Sequence, residues 1–128
     1  MSVAPVVLVA DDDELLRELL EYRLSSRGYT VITAGDGLAA YQACKEHKPA
    51  LIVLDAMMPE LDGFALLKRM QSEGALADTH VIMLTARGLE ADIVGAFRSG
   101  ATDYLRKPFK PEELMSRISR IVPIESGA

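Results

Sequence analysis

The sequence predicts a three-layer α/β fold, in which helices cover both faces of a five-stranded parallel sheet. Short apolar runs rich in β-branched residues alternate with longer segments of helical periodicity, which is typical of βα repeats. The central runs show no clean alternation of apolar and polar residues, and this indicates strands buried on both faces. With right-handed crossovers, and with the shortest or most polar strands (the second and fifth) at the edges, the predicted strand order is 2-1-3-4-5.

Five apolar runs are predicted to form the strands. In chain order they are VVLVA (6–10), TVITA (30–34), LIVLD (51–55), VIMLT (81–85) and DYLR (103–106). Their lengths and β-branched content fit the strands of a parallel sheet.

Each strand is followed by a segment with apolar residues at helical spacing and with recognisable end signals. Gly28 stops the first helix, Asp36 and Asp62 cap the second and third, Gly100 ends the fourth, and Pro111 opens the fifth. The predicted apolar positions are Leu15, Leu16, Leu19, Leu20 and Leu24; Leu38, Tyr41 and Cys44; Phe64, Leu67 and Met70; Leu89, Ile93, Val94 and Phe97; and Leu114, Met115, Ile118, Ile121 and Val122.

Composition narrows the classes of protein to consider. The 128 residues suffice for one domain, which we expect to span 1–128 with its core at about 6–122 and a frayed tail at 123–128. The net charge of −5 and the lack of a basic patch argue against direct contact with nucleic acid. No apolar run predicts a membrane span or a secretory signal. The single cysteine, Cys44, fits a reducing compartment, most simply the cytoplasm.

Polar residues stand at the carboxyl ends of the predicted strands. Asp11 and Asp12 follow the first strand, Asp55 and Thr85 end the third and fourth, and Lys107 follows the fifth. In such sheets ligands bind beyond these ends, where the strand order reverses, here between the first and third strands. Clustered carboxylates favour a hard cation, namely Mg²⁺, for which Mn²⁺ could substitute. A cation, anion donors and a possible nucleophile together suggest phosphoryl transfer to an aspartate.

Four segments in order resemble the receiver domain of response regulators in two-component signalling, a CheY-like superfamily with a flavodoxin-like fold. They are VLVADDD, LIVLDAMMPELDG, VIMLTA and DYLRKPF, and the likeness runs from Val6 to about Val122. It implies that Asp55 is the phosphoacceptor. The donor would be a phosphohistidine on a sensor histidine kinase or phosphotransfer protein, or a small acyl phosphate.

The resemblance also implies a metal site and an anion contact. Asp11 and Asp12 would hold Mg²⁺ directly or through water, together with Asp55 and the backbone carbonyl of Met57. Lys107 would pair with the phosphoryl oxygens, and its peptide bond to the following proline is usually cis in this family.

The family pattern further implies a conformational switch and positions that set the lifetime of the phosphoryl group. Thr85 and Tyr104 would respond to phosphorylation and change an output face made of the fourth helix, fifth strand and fifth helix. This face would contact an unknown output partner or domain, or form a homodimer to which Asp103 and Arg117 could contribute. Met57 and Arg87 occupy the positions that tune the lifetime of the phosphoryl group, and Met57 predicts slow self-dephosphorylation because it cannot hydrogen-bond a water.

Other interpretations compete with these. We expect Asp13 to cap the first helix rather than bind metal, and Gly63 to serve a tight turn. Gly95 indicates either close packing or a helix that must move easily. A haloacid-dehalogenase-like phosphatase would need an aspartate where Met57 stands, and a flavodoxin-like nucleotide binder would need a glycine-rich loop after the first strand. We therefore expect a signalling domain rather than an enzyme, either freestanding or part of a longer regulator.

Overall fold

The computed structural model describes residues 4–86 and 90–124, and it contains the predicted sheet. Its strands are Val6–Ala10 (β1), Thr30–Ala34 (β2), Leu51–Asp55 (β3), His80–Thr85 (β4) and Asp103–Arg106 (β5). All neighbouring strands are parallel, and their order is β2-β1-β3-β4-β5, as predicted. β4 begins one residue earlier than the sequence indicated.

Five helices connect and follow these strands. They are Glu14–Ser26 (α1), Gly37–His47 (α2), Gly63–Ser72 (α3), Glu90–Arg98 (α4) and Pro111–Ile121 (α5), with a short 3-10 turn at Ala75–Ala77. Three aspartates cap them as predicted. The Asp13, Asp36 and Asp62 carboxylates accept first-turn N–H groups of α1, α2 and α3 at 3.2, 2.8 and 2.8 Å. No helix in the two described ranges combines the length and apolar character needed to cross a bilayer.

The core consists of two layers, one on each face of the sheet. Alternate residues of a strand point to opposite faces, so Val7 and Val9 pack in the layer with α1 and α5, while Leu8 and Ala10 pack in the layer with α2 and α3. Both sets are fully buried, which confirms strands covered on both faces. After α5, Ile124 still packs against the α1–α5 layer.

The prediction of one buried leucine face on α1 is wrong in part. Leu20 and Leu24 are fully buried, whereas Leu15 is 77% exposed and Leu19 is 39% exposed. Positions four residues apart share a helix face, so the core-facing row is 16, 20 and 24, and the row at 15 and 19 turns toward solvent. On α2 the expected apolar position Leu38 is likewise exposed.

Candidate functional site

The parallel register brings the polar strand ends to one rim of the sheet. Ala10 pairs with Leu54, and Asp55 pairs with Leu84, so the residues that follow β1 and end β3 and β4 lie at one level. The chain leaving β5 joins them, because the Lys107 N–H donates to the Thr85 carbonyl at 2.7 Å. The rim therefore lies at the point where the strand order reverses, as the topology requires.

Three carboxylates form the centre of this rim. One oxygen from each of Asp11, Asp12 and Asp55 lies within 4.8 Å of one from each of the others. Asp11 is fully buried and Asp55 is 4% exposed, whereas Asp12 is open to solvent. Two buried carboxylates side by side are unfavourable unless positive charge offsets them. All three offer oxygen ligands, so the cluster fits a hard divalent cation such as Mg²⁺.

Lys107 supplies positive charge to the cluster. Its Nζ donates to Asp11 Oδ2 at 2.8 Å and lies 3.4 Å from Asp55 Oδ2. Burial lowers the pKa of Lys107, but hydrogen bonds and charge interactions with the two aspartates outweigh it and raise that pKa above its ordinary value. The peptide bond from Lys107 to Pro108 is cis, as the resemblance implied.

The surroundings of the Asp55 carboxylate oppose its ionisation. Burial raises its pKa from 3.8 to about 6, while a hydrogen bond from the Met57 N–H lowers it, the Asp11 charge raises it and Lys107 lowers it. The Met57 N–H donates to Asp55 Oδ1 at 3.1 Å, so that oxygen is held while Oδ2 faces the lysine. At neutral pH the group is mainly ionised, although its surroundings oppose the charge.

Two glycines allow the loop after β3 to fold against its neighbours. A Cβ on Gly63 would overlap the backbone carbonyl of Asp55, and a Cβ on Gly37 would overlap the backbone carbonyl of Leu61. The expectation of a tight turn at Gly63 was therefore incomplete, because the residue is needed for close approach of two backbones. Gly37 was missed, and its only sequence signal is its place directly after a helix cap.

Arg17 is a further residue that the sequence reasoning missed. Its Nη1 donates to the backbone carbonyl of Asp11 at 2.8 Å. The available signal was a lone cation about one helical turn beyond the acidic run, which points back toward the strand end.

The remaining predicted residues are distributed around the rim. Thr85 is 2% exposed at the end of β4, and Tyr104 is half-buried against the core layer that contains α2 and α3. Met57 is 56% exposed next to the carboxylates. Arg87 lies outside the described residues, as does the predicted helix residue Leu89.

Comparison with known sequences identifies the class of protein to which this site belongs. The sequence profile described as response regulator receiver domain matches residues 7–119, and the chain belongs to this family. Receiver domains of two-component response regulators act in signal relay. Such domains bind Mg²⁺ at an acidic pocket, and the cluster of Asp11, Asp12 and Asp55 forms an acidic pocket in this chain.

Particular relatives extend the likeness. The chain is 44% identical to the probable transcriptional regulator ycf27 of Cyanophora paradoxa over 116 residues, which is 91% of this chain and 47% of that protein. It is 42% identical to the alkaline phosphatase synthesis transcriptional regulatory protein PhoP of Bacillus subtilis, over 91% of this chain and 48% of that protein. The chain thus spans about half the length of these curated relatives.

Solved structures agree with the fold. The receiver domain of the Francisella response regulator 1452 superposes with a TM-score of 0.86 at 35% identity, covering 91% of this chain and 95% of that one. The chemotaxis protein CheY4 of Vibrio cholerae gives a TM-score of 0.86 at 30% identity, covering 94% of this chain and all of the other.

Proposed function

We propose that this receiver domain takes up a phosphoryl group on Asp55 in a Mg²⁺-dependent reaction. The observation that carries the proposal is the geometry of one carboxylate. Asp55 is 4% exposed at a strand end, faces the Lys107 ammonium at 3.4 Å and lies within 4.8 Å of two further carboxylates. A nucleophile, a cation site and an anion donor converge there, which are the parts that phosphoryl transfer needs.

The reaction forms a bond between a carboxylate oxygen of Asp55 and phosphorus. The bond from phosphorus to the donor breaks, and its electron pair leaves with a histidine nitrogen, or with the acyl oxygen of a small phosphodonor. Asp11, Asp12 and Asp55 would hold the metal ion, with the carbonyl of Met57 as a predicted fourth ligand. A bound Mg²⁺ would supply the positive charge that lets phosphoryl oxygens approach these carboxylates, and Mn²⁺ could replace it.

In this proposal Lys107 changes its ion-pair partner when the phosphoryl group is transferred. Before transfer its Nζ spans Asp11 and Asp55. Once Asp55 is phosphorylated, its carboxyl group has become part of an acyl phosphate and has lost its charge, while the phosphoryl group carries about −2 near neutral pH. The ammonium then pairs with a phosphoryl oxygen, because charge-assisted hydrogen bonds to phosphate are strong.

The phosphoryl group is expected to bias a two-state element at the rim. Thr85 ends β4 and would reach a phosphoryl oxygen, and Tyr104 on β5 would move inward with it. The changed surface is the face made of α4, β5 and α5, through which an output partner or domain would be contacted. Asp103 and Arg117 on this face pair within the chain at 2.9 Å, and a homodimer using them would exchange this contact between subunits.

A phosphohistidine partner would dock beside the rim. Leu15, Leu19 and Tyr22 are 77%, 39% and 73% exposed on α1, and they form an uncovered apolar row along that helix. Leu19 also lines a groove with Lys107 and Phe109, so the row leads to the acidic site. A histidine on a partner helix laid along this row could reach Asp55. This partner is a sensor histidine kinase or a phosphotransfer protein.

The chain would act as one receiver unit in the cytoplasm and would not turn over phosphomonoesters. Cys44, which is buried and whose pKa burial raises to about 11, is an unreactive core thiol. The relatives named as transcriptional regulators are about twice as long, so the output can reside in a further domain or in a separate partner.

Intact-mass measurement after incubation with acetyl phosphate and Mg²⁺ tests the proposal. The wild type should gain the mass of one phosphoryl group, and the gain should disappear with EDTA and in Asp55→Asn. Asp62→Asn is the matched control, because it removes a charge from the same loop while asparagine still caps α3. The control should gain the phosphoryl group. A gain that persists in Asp55→Asn, or no gain in the wild type, would refute the assignment.

A further inference from the structure

Arg17 contacts the backbone between Asp11 and Asp12, and among the described residues it is the one side chain that does so. Its Nη1 donates to the Asp11 carbonyl at 2.8 Å, and the carbonyl belongs to the peptide group that joins Asp11 to Asp12. Gly35 leaves room for the guanidinium, since a Cβ there would come within 3.1 Å of Nη1. Among the described residues, the Arg17 side chain forms no ion pair with a carboxylate, so its contact to the backbone is not a by-product of charge pairing.

The turn after β1 is otherwise held from both sides of this peptide group. The Asp11 N–H donates to the Ala34 carbonyl at 3.1 Å, and the Asp13 N–H donates to Asp11 Oδ1 at 2.9 Å. Among the residues whose side chains the structure describes (4–86 and 93–124), the Asp12 carboxylate has no hydrogen-bond or ion-pair partner. The direction of the Asp12 side chain therefore depends on the orientation of its own backbone.

The geometry assigns Arg17 the role of a positioning residue that fixes the Asp11–Asp12 peptide group and so keeps Asp12 directed toward the cation site. This inference rests on the proposed Mg²⁺ site. It extends that proposal, because the orientation of one metal ligand, Asp12, would depend on an arginine that neither binds the metal nor contacts a carboxylate.

An electrostatic role and a positioning role of Arg17 predict opposite changes in Mg²⁺ affinity when this residue is replaced. A guanidinium near a cation site repels the cation, so a purely electrostatic role predicts that Arg17→Ala binds Mg²⁺ more tightly. A positioning role predicts weaker binding, because the freed peptide group lets Asp12 sample orientations that do not face the site. The expected loss is about fivefold in affinity, the change that follows from one net hydrogen bond.

Calorimetric titration of the whole chain with Mg²⁺ separates the two roles. Arg23→Ala is the matched control, because Arg23 lies on the same helix, carries the same charge and pairs with the exposed Glu112 at 3.2 Å, away from the turn. We expect weaker binding in Arg17→Ala and affinity near that of the wild type in Arg23→Ala. Arg17→Lys should recover most of the affinity, since the described contact needs only one N–H donor.

The acetyl phosphate reaction gives a second measurement. In Arg17→Ala the Mg²⁺ concentration for half-maximal phosphorylation should rise, while the rate at saturating Mg²⁺ stays close to that of the wild type. Unchanged or tighter Mg²⁺ binding in Arg17→Ala, or an equal loss in Arg23→Ala, would overturn the inference while leaving the proposed function intact. Absence of Mg²⁺ binding in the wild type would remove both.

Discussion

Replacing Asp55 with asparagine should stabilise the metal-free protein at neutral pH. The carboxylate is nearly buried, and its pKa is raised from 3.8 to about 6, mainly by burial. Each unit of pKa shift corresponds to about 1.4 kcal/mol, so keeping Asp55 ionised in the folded state costs about 3 kcal/mol above pH 7. Asparagine has the same shape, carries no charge and can still accept the Met57 N–H through its side-chain oxygen.

The loss of the Lys107 contact is already included in this figure, because the attraction of Lys107 lowers the pKa of Asp55 and the value of about 6 is the net result. Lys107 loses one of its two carboxylate contacts, although the shorter one to Asp11 at 2.8 Å remains. We therefore expect an increase of about 3 kcal/mol in the free energy of unfolding, and a rise of roughly 10 °C in Tm for a domain of this size.

The sign of the pH dependence follows from the raised pKa. Near pH 3 the aspartate is protonated in both states and the wild type suffers no penalty. Between about pH 4 and 6 the unfolded chain releases this proton while the folded protein keeps it, so the contribution of Asp55 to stability falls as pH rises. Above the folded pKa the penalty is complete. The advantage of Asp55→Asn at pH 4.5 should thus be about one-third of that at pH 7.5.

Urea unfolding in EDTA at both pH values measures this difference. Asp36→Asn serves as the control, since it removes one surface charge while asparagine still caps α2, and its stability should stay within about 0.5 kcal/mol of the wild type. If Asp55→Asn is no more stable than the wild type at pH 7.5, or if its advantage is equal at both pH values, the assigned burial penalty is wrong.

Three further outcomes are expected around the site. Gly63→Ala should destabilise the fold by about 2 kcal/mol or more, because its Cβ overlaps backbone. A Cβ in Gly95→Ala meets none of the described atoms within 4 Å, so this variant should stabilise α4 by up to about 1 kcal/mol in urea unfolding. Met57→Asn should shorten the lifetime of the phosphorylated form, measured as loss of the phosphoryl mass over time; equal decay would contradict the role of this position. Asp11→Asn should weaken Mg²⁺ binding in calorimetry at least about tenfold, while Asp13→Asn, which retains the cap, should change it little.

The strands and helix ends were predictable because their signals are local. A β-branched run such as TVITA at 30–34 favours a strand wherever it lies, and Asp36 can satisfy first-turn N–H groups without a distant partner. The chirality of crossovers then restricts how such strands can be ordered, and this is why the sheet order could be stated in advance.

The residues of the candidate site could also be predicted from the sequence, since the carboxyl ends of all strands in a parallel sheet lie at the same rim. That rule brought Asp11, Asp55, Thr85 and Lys107 together from positions up to 96 residues apart. Their particular distances could not be obtained this way. The preference of Lys107 for Asp11 at 2.8 Å over Asp55 at 3.4 Å depends on how β1, β3 and the chain after β5 pack.

Periodicity failed where two helix faces were both apolar. On α1 the row at 16, 20 and 24 and the row at 15 and 19 are both made of leucine, and the sheet beneath the helix decides which row is covered. The two interpretations of Gly95 were likewise open in the sequence. Within the described part of the chain a Cβ at this position would meet nothing within 4 Å, which argues against close packing.

Local chemistry in the sequence thus specified the elements, their order and the residue types at the rim. The contacts between segments that are distant in sequence specified the rest: the need for glycine at 37 and 63, the burial of Asp55 that raises its pKa, and the contact between Arg17 and the Asp11 carbonyl. The physical reason is that propensity, capping and hydrophobic periodicity act over a few residues. Steric exclusion, desolvation and side-chain contacts to a particular carbonyl exist only after the chain has folded.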